Sequence, residues 1–199
     1  MIIGNDKPIR IIGHAEASTT HEFVGEISRT KPATVIGTQD FLNDPDTQFQ
    51  YIVAVNFDLV ERKKIIDTVD SLDLDLITVI SDQSLVGNNP APVIQPGTFV
   101  FPFCNISLGA AIGRHCIISP YSMLGHYSTI GRNCVLRPGV MITDKSTVGD
   151  NCVFNIRSTV TNRATIVDDV ELMAFANVAK DIATPGRYIG STARKFIGS

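Results

Sequence analysis

The sequence predicts a two-part fold: a small α/β, Rossmann-like domain over residues 1–83 and an all-β parallel β-helix over residues 84–199. Large apolar residues recur every six positions, fifteen times from Ile94 to Val178, and small residues recur four positions after them, from Thr98 to Ala176. Residues 8 to about 81 instead show short, separate apolar runs. A period of six matches neither an α-helix nor an ordinary strand, so the repeat predicts a three-sided prism of short parallel strands.

The amino-terminal part is predicted to contain four strands and one helix. The strands are predicted over "IRIIG", "FVGEIS", "YIVAV" and "LDLITVI", with the helix before the last of them, which gives the order β, β, β, α, β. The helix is predicted over "DLVERKKIIDTVDSL", where Asp58 and Glu61 have the spacing of a capping box. Its predicted apolar face consists of Ile65, Ile66, Val69 and Leu72. The segment "SDQSLVGNNPAP" has the composition of a loop and leads into the repeat.

Three six-residue repeats form one coil of the predicted prism. Similar segments begin at Ala111, Thr129, Thr147 and Thr165, a spacing of 18 residues. Residues 18 apart should therefore stack about 4.8 Å from each other, as neighbouring strands do. Each coil then buries three large apolar side chains, worth about 1.5–3 kcal/mol apiece before conformational entropy is subtracted.

Composition and charge narrow the possible partners. The chain has 199 residues, of which 44% are hydrophobic, and its net charge of -3 is not clustered, so neither nucleic acid nor an anionic membrane is expected to bind. No apolar run approaches the roughly 18 residues of a membrane-spanning helix, and "MIIGNDKPIR" lacks an export signal, so we expect a cytoplasmic location. Cys116, Cys134 and Cys152 fall on the small-residue positions, which predicts buried thiols rather than nucleophiles or metal ligands.

The register of the repeat carries His126 to the outside of the prism. His126 follows Leu124 by two positions, and Asp144 occupies the same outward position one coil later, about 5 Å away. A histidine side chain can accept a proton near neutral pH, and a carboxylate beside it can orient it or stabilise its protonated form. The alternative, an exposed histidine beside an ordinary surface acid, is left open by the register alone.

Four segments resemble one subfamily of enzymes, and the resemblance spans nearly the whole chain. The segments are "YIVAVNFDLVERKKIID", "MLGHYSTIG", "VAKDI" and "PGRYIGSTARK". They are similar to the sialic acid O-acetyltransferase-like and bacillosamine-type sugar N-acetyltransferases, which are hexapeptide-repeat acyltransferases. The resemblance implies a left-handed β-helix, a homotrimer with active sites between neighbouring subunits, and acetyl-CoA as co-substrate. It also implies acetyl transfer to an amino or hydroxyl group of a sugar, expected to be nucleotide-linked and used for polysaccharide biosynthesis.

The resemblance further implies roles for individual residues. His126 would be the general base for direct attack on the thioester, without an acyl-enzyme, and Asp144 would support it. A backbone N–H near position 144 would bind the developing oxyanion. The residues implied to contact coenzyme A are Asp144, Ile156, Arg157, Ala174 and Lys180. The residues implied to contact the acceptor sugar or its nucleotide are Gly13 and His14, and Arg29 is a further candidate for this contact.

The sequence departs from the subfamily at four places. Tyr127 stands where an acidic residue usually follows the histidine, and Ser119 stands where an asparagine usually precedes it by seven positions. The segment "GHAEASTTHEF" is predicted to be too short for the usual helix after the first strand, and Ser28 with Arg29 replaces a pair of acidic residues. The last two changes would remove contacts to nucleotide phosphates and ribose, although Arg29 could itself face a phosphate. The acceptor therefore stays open.

Two other functions also remain open from the sequence. A catalytically degenerate β-helix oligomer, acting as a binding or structural protein, would fit the missing asparagine, the missing acidic residue after the histidine and the altered loop. A gamma-type carbonic anhydrase would need three histidines around zinc, whereas the repeats contain only His115 and His126, at different positions in their six-residue units. No metal is therefore expected. N- and O-acetylation are not distinguished, because a histidine base serves both.

Overall fold

The computed structural model describes residues 1–14, 16–29, 31–55 and 58–190. Over these residues the chain forms a left-handed parallel β-helix with an α/β domain packed against one of its three faces. The predicted fold class is thus confirmed. None of the described helices is both long enough and apolar enough to cross a membrane.

The amino-terminal part contains a small parallel sheet and three helices among its described residues. In chain order the elements are β1 (Ile2–Ile3), β2 (Ile9–Ile12), α1 (Ser18–Ile27), β3 (Ala33–Ile36), α2 (Thr38–Asn43), β4 (Gln50–Val53), α3 (Leu59–Ser71) and β5 (Thr78–Ile80). Strands β2, β3 and β4 pair in parallel in the order β3-β2-β4. Strands β1 and β5 pair with each other and join a sheet of the prism instead.

The predicted order of elements in this domain was wrong. The run "FVGEIS" lies in α1 rather than in a strand, and β3 and α2 were not predicted. Phe23 and Ile27 lie four residues apart on one side of α1, and both are buried between the small sheet and the prism. Because that burial requires both partners, tertiary packing overrides the strand-like local composition. The helix expected to be missing after the first strand of the parallel sheet is therefore present.

Helix α3 agrees with its prediction at the start and along most of its buried face. The Asp58 side chain accepts a hydrogen bond from the Glu61 N–H at 2.9 Å, which caps the helix. The predicted face residues Ile65, Ile66 and Val69 are buried. Leu72 lies beyond the helix and is 45% exposed, whereas Arg62, which was not predicted, is fully buried on the same face.

Three sheets form the faces of the prism. The first face, called the covered face, continues from β1 and β5 through β8 (Phe99–Val100), β11 (Ile117–Ile118), β14 (Val135–Leu136), β17 (Val153–Phe154), β20 (Val170–Leu172) and β22 (Gly186–Tyr188). The second face consists of β6 (Leu85–Val86), β9 (Asn105–Ile106), β12 (Met123–Leu124), β15 (Met141–Ile142), β18 (Thr159–Val160) and β21 (Asn177–Val178). The third face consists of β7 (Val93–Ile94), β10 (Ala111–Ile112), β13 (Thr129–Ile130), β16 (Thr147–Val148) and β19 (Thr165–Ile166).

The predicted register of the repeat is confirmed. Residues 18 apart pair across neighbouring coils, as in Ile112 with Ile130 and Ile130 with Val148. The large apolar residues fill the axis, although Ile94, in the first coil, is only partly buried. The four cysteines are free and lie in the core, as expected for small corner residues.

The covered face is apolar on its outer side as well as on its inner side. Its outward residues Phe99, Ile117 and Val135 are buried beneath the α/β domain, and the Phe23 ring of α1 lies 4.0 Å from the Phe99 ring between centroids. On the third face the corresponding outward residues of the later coils are polar and at least partly exposed, namely Thr129, Thr147 and Thr165. A sheet buried on both sides requires apolar residues on both. The outward residues therefore determine which face receives the domain.

Candidate active site

The three edges of the prism are built from four-residue turns. The histidine edge joins the second face to the third through turns 107–110, 125–128, 143–146 and 161–164. The arginine edge joins the third face to the covered face through turns 95–98, 113–116, 131–134 and 149–152. The aromatic edge joins the covered face to the second through turns 101–104, 119–122, 137–140, 155–158 and 173–176.

His126 lies on the histidine edge and points out of the prism. Its side chain is 52% exposed, and its Nδ1 lies 3.3 Å from Asp144 Oδ1 on the next coil. The same carboxylate oxygen accepts a hydrogen bond from the backbone N–H of His126 at 2.8 Å. The outward direction and the stacking predicted from the register are therefore observed.

The residues on either side of His126 explain how this turn is formed. A Cβ added to Gly125 would lie 2.4 Å from Asp144 Oδ1, so only glycine lets the carboxylate rest against the turn. Tyr127 has a left-handed backbone (φ 56°), and a Cβ on Gly109 would lie 2.5 Å from its ring. The tyrosine ring therefore packs toward the preceding coil, while Asp144 lies on the following one.

The electrostatics of this pair favour an ionised carboxylate. The backbone N–H of His126 holds the pKa of Asp144 below its ordinary value, and the imidazole and Lys145 act in the same direction. An exposed imidazole thus has a negative charge on its Nδ1 side. Such an arrangement can accept a proton from a substrate and stabilise the cation that forms.

The backbone part of the Asp144 contact is a general feature of the prism. On the arginine edge, Asp150 Oδ1 accepts the Arg132 N–H and Asp168 Oδ1 accepts the Asp150 N–H, each at 2.8 Å. In all three cases an aspartate lies 19 residues after a glycine: Gly125 and Asp144, Gly131 and Asp150, Gly149 and Asp168. This spacing is visible in the sequence and is a signal from which these turns can be predicted. Only the second contact, from Asp144 to an imidazole, distinguishes the His126 turn.

The residues implied to bind coenzyme A lie on two different edges. Lys180 follows the turns of the histidine edge, three coils beyond His126 and about 14 Å along the axis. Ile156, Arg157 and Ala174 are exposed on the aromatic edge, with the second face between them and His126. Ser119 is also on the aromatic edge, where its N–H donates to the Leu136 carbonyl at 2.9 Å.

Gly13 and His14 lie together at the carboxyl edge of the small parallel sheet. His14 Nε2 is 2.8 Å from Glu61 Oε2 in the first turn of α3. Burial raises the pKa of Glu61, but hydrogen bonds from Thr38 and His14 outweigh it and leave that pKa below its ordinary value. A Cβ on Gly13 would approach Thr20 Oγ1 to 2.6 Å, so glycine allows the loop to pass close to α1.

The amino terminus of α1 begins directly after this loop. Its cap residue, Ala17, offers no side-chain acceptor, and its first turn contains no acidic residue. The Thr20 hydroxyl is buried without a hydrogen-bond partner in the part of the chain that the structure describes. A helix amino terminus with open N–H groups attracts anions. The helix amino terminus that the sequence predicted to be absent is therefore present at the carboxyl edge of the small parallel sheet.

Arg29 is not brought together with Gly13 and His14. It follows the carboxyl end of α1, at the opposite edge of the sheet, and its Nη1 lies 3.4 Å from Glu26 Oε1. The expectation that Ser28 and Arg29 replace an acidic pair requires "FVGEIS" to be the second strand, whereas this run lies in α1. The second parallel strand is β3, so the residues that follow it are Gly37 and Thr38.

His115 lies on the arginine edge and does not share a site with His126. Its side chain is fully buried, with Nε2 2.9 Å from Asp70 Oδ1 of α3. Burial lowers the pKa of His115 to about 4 and outweighs the opposing effect of the Asp70 carboxylate. Within residues 1–14, 16–29, 31–55 and 58–190, no group of three histidine, cysteine or acidic side chains could hold a metal ion.

Comparison with known proteins adds one family match and several structural likenesses. Residues 109–144 match the family described as bacterial transferase hexapeptide (six repeats). No curated protein matches the chain.

Three solved structures illustrate the structural likeness. The acetyltransferase domain of PglB from Neisseria gonorrhoeae FA1090 superposes with a TM-score of 0.82 at 17% identity, covering 92% of this chain and 96% of that one. A histidine variant of perosamine N-acetyltransferase from Caulobacter crescentus, in complex with CoA and GDP-perosamine, gives 0.77 at 16% identity, covering 98% and 100%. WeeI from Acinetobacter baumannii AYE gives 0.56 at 16% identity, covering 86% and 93%. The two-part fold is therefore shared with these proteins.

Proposed function

We propose that the protein is an acetyl-CoA-dependent N-acetyltransferase that acts on a nucleotide-linked amino sugar. The observation that carries the proposal is the His126–Asp144 pair, an exposed imidazole 3.3 Å from a carboxylate on the outer edge of a hexapeptide prism. The proteins of similar fold support the substrate class, since one structure contains acetyl coenzyme A and another contains CoA with GDP-perosamine. We further propose a cytoplasmic location and a role in polysaccharide biosynthesis.

The proposed reaction is a direct transfer without an acyl-enzyme. Nδ1 of His126 faces Asp144, so Nε2 is the atom that accepts the proton of the attacking amine. The new N–C bond forms as the C–S bond of acetyl-CoA breaks, and the proton passes from the amine through His126 to the thiolate or to solvent. Asp144 stabilises the imidazolium between these steps.

The backbone N–H of Asp144 is the proposed donor to the oxyanion. At the equivalent turn positions the N–H groups of His126, Arg132 and Asp150 each donate to an aspartate of the following coil. In the coil after Asp144 the position of that aspartate is taken by Asn162. The Asp144 N–H has no hydrogen-bond partner among the described residues. An open N–H beside the base can stabilise the charge that develops on a thioester oxygen.

The position of the α/β domain supports a site shared between subunits. The domain lies on the covered face, and the histidine edge is the edge of the prism opposite that face. An acceptor bound at Gly13, His14 and the start of α1 is therefore served by His126 of a neighbouring chain. A homotrimer supplies such pairs in a closed ring.

The same arrangement accounts for the two sets of coenzyme A candidates. Asp144 and Lys180 lie on the histidine edge, whereas Ile156, Arg157 and Ala174 lie on the aromatic edge. In the proposed trimer, coenzyme A lies along the groove between the histidine edge of one subunit and the aromatic edge of the next. Lys180, three coils from the base, is at a distance suited to the phosphates of coenzyme A rather than to its thioester.

The proposal is tested by complementation between two inactive variants. His126→Ala removes the base, and Gly13→Val places a side chain against Thr20 at the acceptor loop. Trimers that contain both variants are isolated with two affinity tags and assayed for CoA release with a panel of nucleotide-linked amino sugars. Each variant alone should be inactive, whereas a mixed trimer keeps one intact pair and should recover about one third of wild-type activity.

Two outcomes would contradict the proposal. Absence of any recovery in mixed trimers would show that the base and the acceptor loop act within one chain. Absence of acetyl transfer by the wild-type protein with every acceptor, together with unchanged nucleotide binding in His126→Ala, would instead favour the binding-protein alternative.

A further inference from the structure

Arg62 is a fully buried arginine at the seam between the α/β domain and the prism. No carboxylate pairs with its guanidinium among the described residues. Its Nη1 donates to the carbonyls of Val53 at 3.0 Å and Val55 at 2.6 Å, and its Nε donates to Asn133 Oδ1 at 2.9 Å. Its Nη2 donates to the His115 carbonyl. Burial lowers the pKa of Arg62 to about 10, so the side chain keeps its charge and all its donors at neutral pH.

The position of Arg62 follows from the way the chain leaves the small sheet. The first half of β4 is hydrogen-bonded to the backbone of residues 75–77. The Tyr51 backbone N–H donates to the Asp75 carbonyl at 2.8 Å, and the Tyr51 carbonyl accepts from the Ile77 N–H at 3.1 Å. The chain then turns away to form β5 in the covered face, so on the side of β4 away from β2 the carbonyls of Val53 and Val55 have no strand beside them. Buried carbonyls require donors. The guanidinium fills the place of the missing strand.

Arg62 connects two parts of the proposed reaction site. Val53 and Val55 lie at the carboxyl end of β4, at the edge of the sheet where the acceptor loop lies. The adjacent residue on α3, Glu61, pairs with His14 of that loop. On its other side Arg62 reaches the backbone of the prism at His115 and the side chain of Asn133. One side chain thus joins the acceptor edge to the prism.

We propose that Arg62 is a positioning residue for acetyl transfer, which sets the acceptor edge of one subunit at a fixed distance from the base of its neighbour. This inference rests on the proposed function, because the base belongs to another prism and the acceptor is held by the α/β domain. A shift of the domain on its own prism changes the distance between amine and imidazole. Displacements of about 1 Å can reduce a rate by about 100-fold.

A second set of contacts holds α3 against the prism without reaching the acceptor edge. Asp70 Oδ1 lies 3.1 Å from Arg114 Nη2 and 2.9 Å from His115 Nε2, and Arg132 Nη2 lies 3.2 Å from Asp67. These contacts lie near the carboxyl end of α3, whereas Arg62 lies in its first turns. Asp70→Asn is therefore a matched control that weakens the domain contact and leaves the Arg62 hydrogen bonds in place.

The experiment compares Arg62→Lys, Asn133→Gly and Asp70→Asn with the wild type. A lysine ammonium cannot reach acceptors in as many directions as a guanidinium. Asn133→Gly removes one acceptor of Arg62 at a left-handed position (φ 55°), where glycine is tolerated, so it remains informative if Arg62→Lys does not fold. For each variant, kcat and the KM values for acceptor and acetyl-CoA are measured beside the melting temperature.

The expected results separate positioning from stability. Arg62→Lys should reduce kcat/KM for the acceptor at least about tenfold while the KM for acetyl-CoA changes less than about twofold. Asn133→Gly should give a smaller loss in the same parameter. Asp70→Asn should lower the melting temperature and leave kcat/KM for the acceptor within about twofold. The inference is overturned if Arg62→Lys shows only the stability loss of Asp70→Asn, or if both KM values rise together.

A distance measurement tests the positioning independently of activity. Spin labels at Gln39→Cys and Thr147→Cys, two exposed positions on the α/β domain and the third face, report the orientation of the domain in protein diluted with unlabelled subunits. The distance distribution should broaden or shift with Arg62→Lys and stay narrow with Asp70→Asn. An unchanged distribution with Arg62→Lys would overturn the inference, whereas a broadened one in a protein without transferase activity would reject only the proposed function.

Discussion

The histidine edge and the arginine edge of the prism are built by the same turn and perform different tasks. Both place a residue with positive φ at the corner, as at Tyr127 (56°) and Asn133 (55°). In both turns the backbone N–H of the residue before this corner donates to an aspartate of the following coil, which is Asp144 on the histidine edge and Asp150 on the arginine edge. On the arginine edge, however, α3 covers the outward side chains, and on the histidine edge no described part of the α/β domain does.

The surroundings of His115 and His126 show the consequence of covering one edge and exposing the other. His115 is enclosed by α3, bonded to Asp70 and driven toward its neutral form by burial. On the histidine edge the position of His115 is taken by Tyr127, which is exposed, and His126 directly before it has about half of its side chain in solvent. The repeat therefore supplies one scaffold on every edge, and the chemistry of an edge is decided by what covers it.

The largest expected effect comes from the same substitution made on both edges. His126→Asn should reduce acetyl transfer by about 100-fold to 10,000-fold, because it removes the proton acceptor from the exposed edge. His115→Asn should change the rate per folded molecule by less than about threefold, since Asn133 and Asn151 already occupy the same corner position in the next coils. Steady-state kinetics of both variants checks the contrast, with scattering to verify that each variant has the same oligomeric state as the wild type. Equal losses in the two variants would remove His126 from its proposed role.

The difference between the edges was only partly predictable from the sequence. The period of six recurs in every coil, so the prism, the axis residues and the outward direction of His126 and Asp144 all followed from local spacing. The packing of α3 over the arginine edge did not follow from local spacing. Asp70 contacts His115 across 45 residues of sequence, and Arg62 contacts Asn133 across 71. Contacts of that separation leave no periodic signal.

Two further features show where local spacing misleads or was overlooked. Helix α1 was predicted as a strand because the helical burial of Phe23 depends on Phe99 of the prism, which is distant in sequence. Arg62 precedes Ile65 by three residues and Ile66 by four, so helical spacing already placed it on the apolar face of α3. A charged residue on such a face indicates a specific buried partner, and that signal was available.

The next expected effect concerns the acid sensitivity of the arginine edge. The pKa of His115 is lowered to about 4 in the folded protein, against 6.5 in the unfolded chain, so the unfolded state binds more protons between these values. The free energy of unfolding should therefore fall by about 3 kcal/mol as the pH drops from 6.5 to 4. Asp70 has a lowered pKa, and its own contribution should be lost only below about pH 4.

Denaturant titrations at several pH values check this expectation. His115→Asn should flatten the dependence between pH 6.5 and 4, because the buried titrating group is gone. It should also reduce the loss below pH 4, because the His115 side chain is the largest of the groups that lower the pKa of Asp70. The charged groups around His115 are Asp70, Arg62 and Arg114. The control is His126→Asn on the exposed edge, which should keep the wild-type dependence of stability on pH. A wild-type protein whose stability is constant over this range would show that His115 is not held neutral by burial.

The smallest effect separates the two contacts of Asp144. Asp144→Asn and Asp150→Asn both retain a side-chain oxygen that can accept the backbone N–H of the preceding coil, so both turns should survive. Only Asp144→Asn removes a negative charge beside an imidazole. A carboxylate beside the imidazole stabilises the cation that forms when the base accepts a proton, so its loss should reduce the maximal rate by about tenfold. Asp150→Asn should leave the maximal rate unchanged, and equal rates for the two variants would mean that Asp144, like Asp150, serves the turn alone.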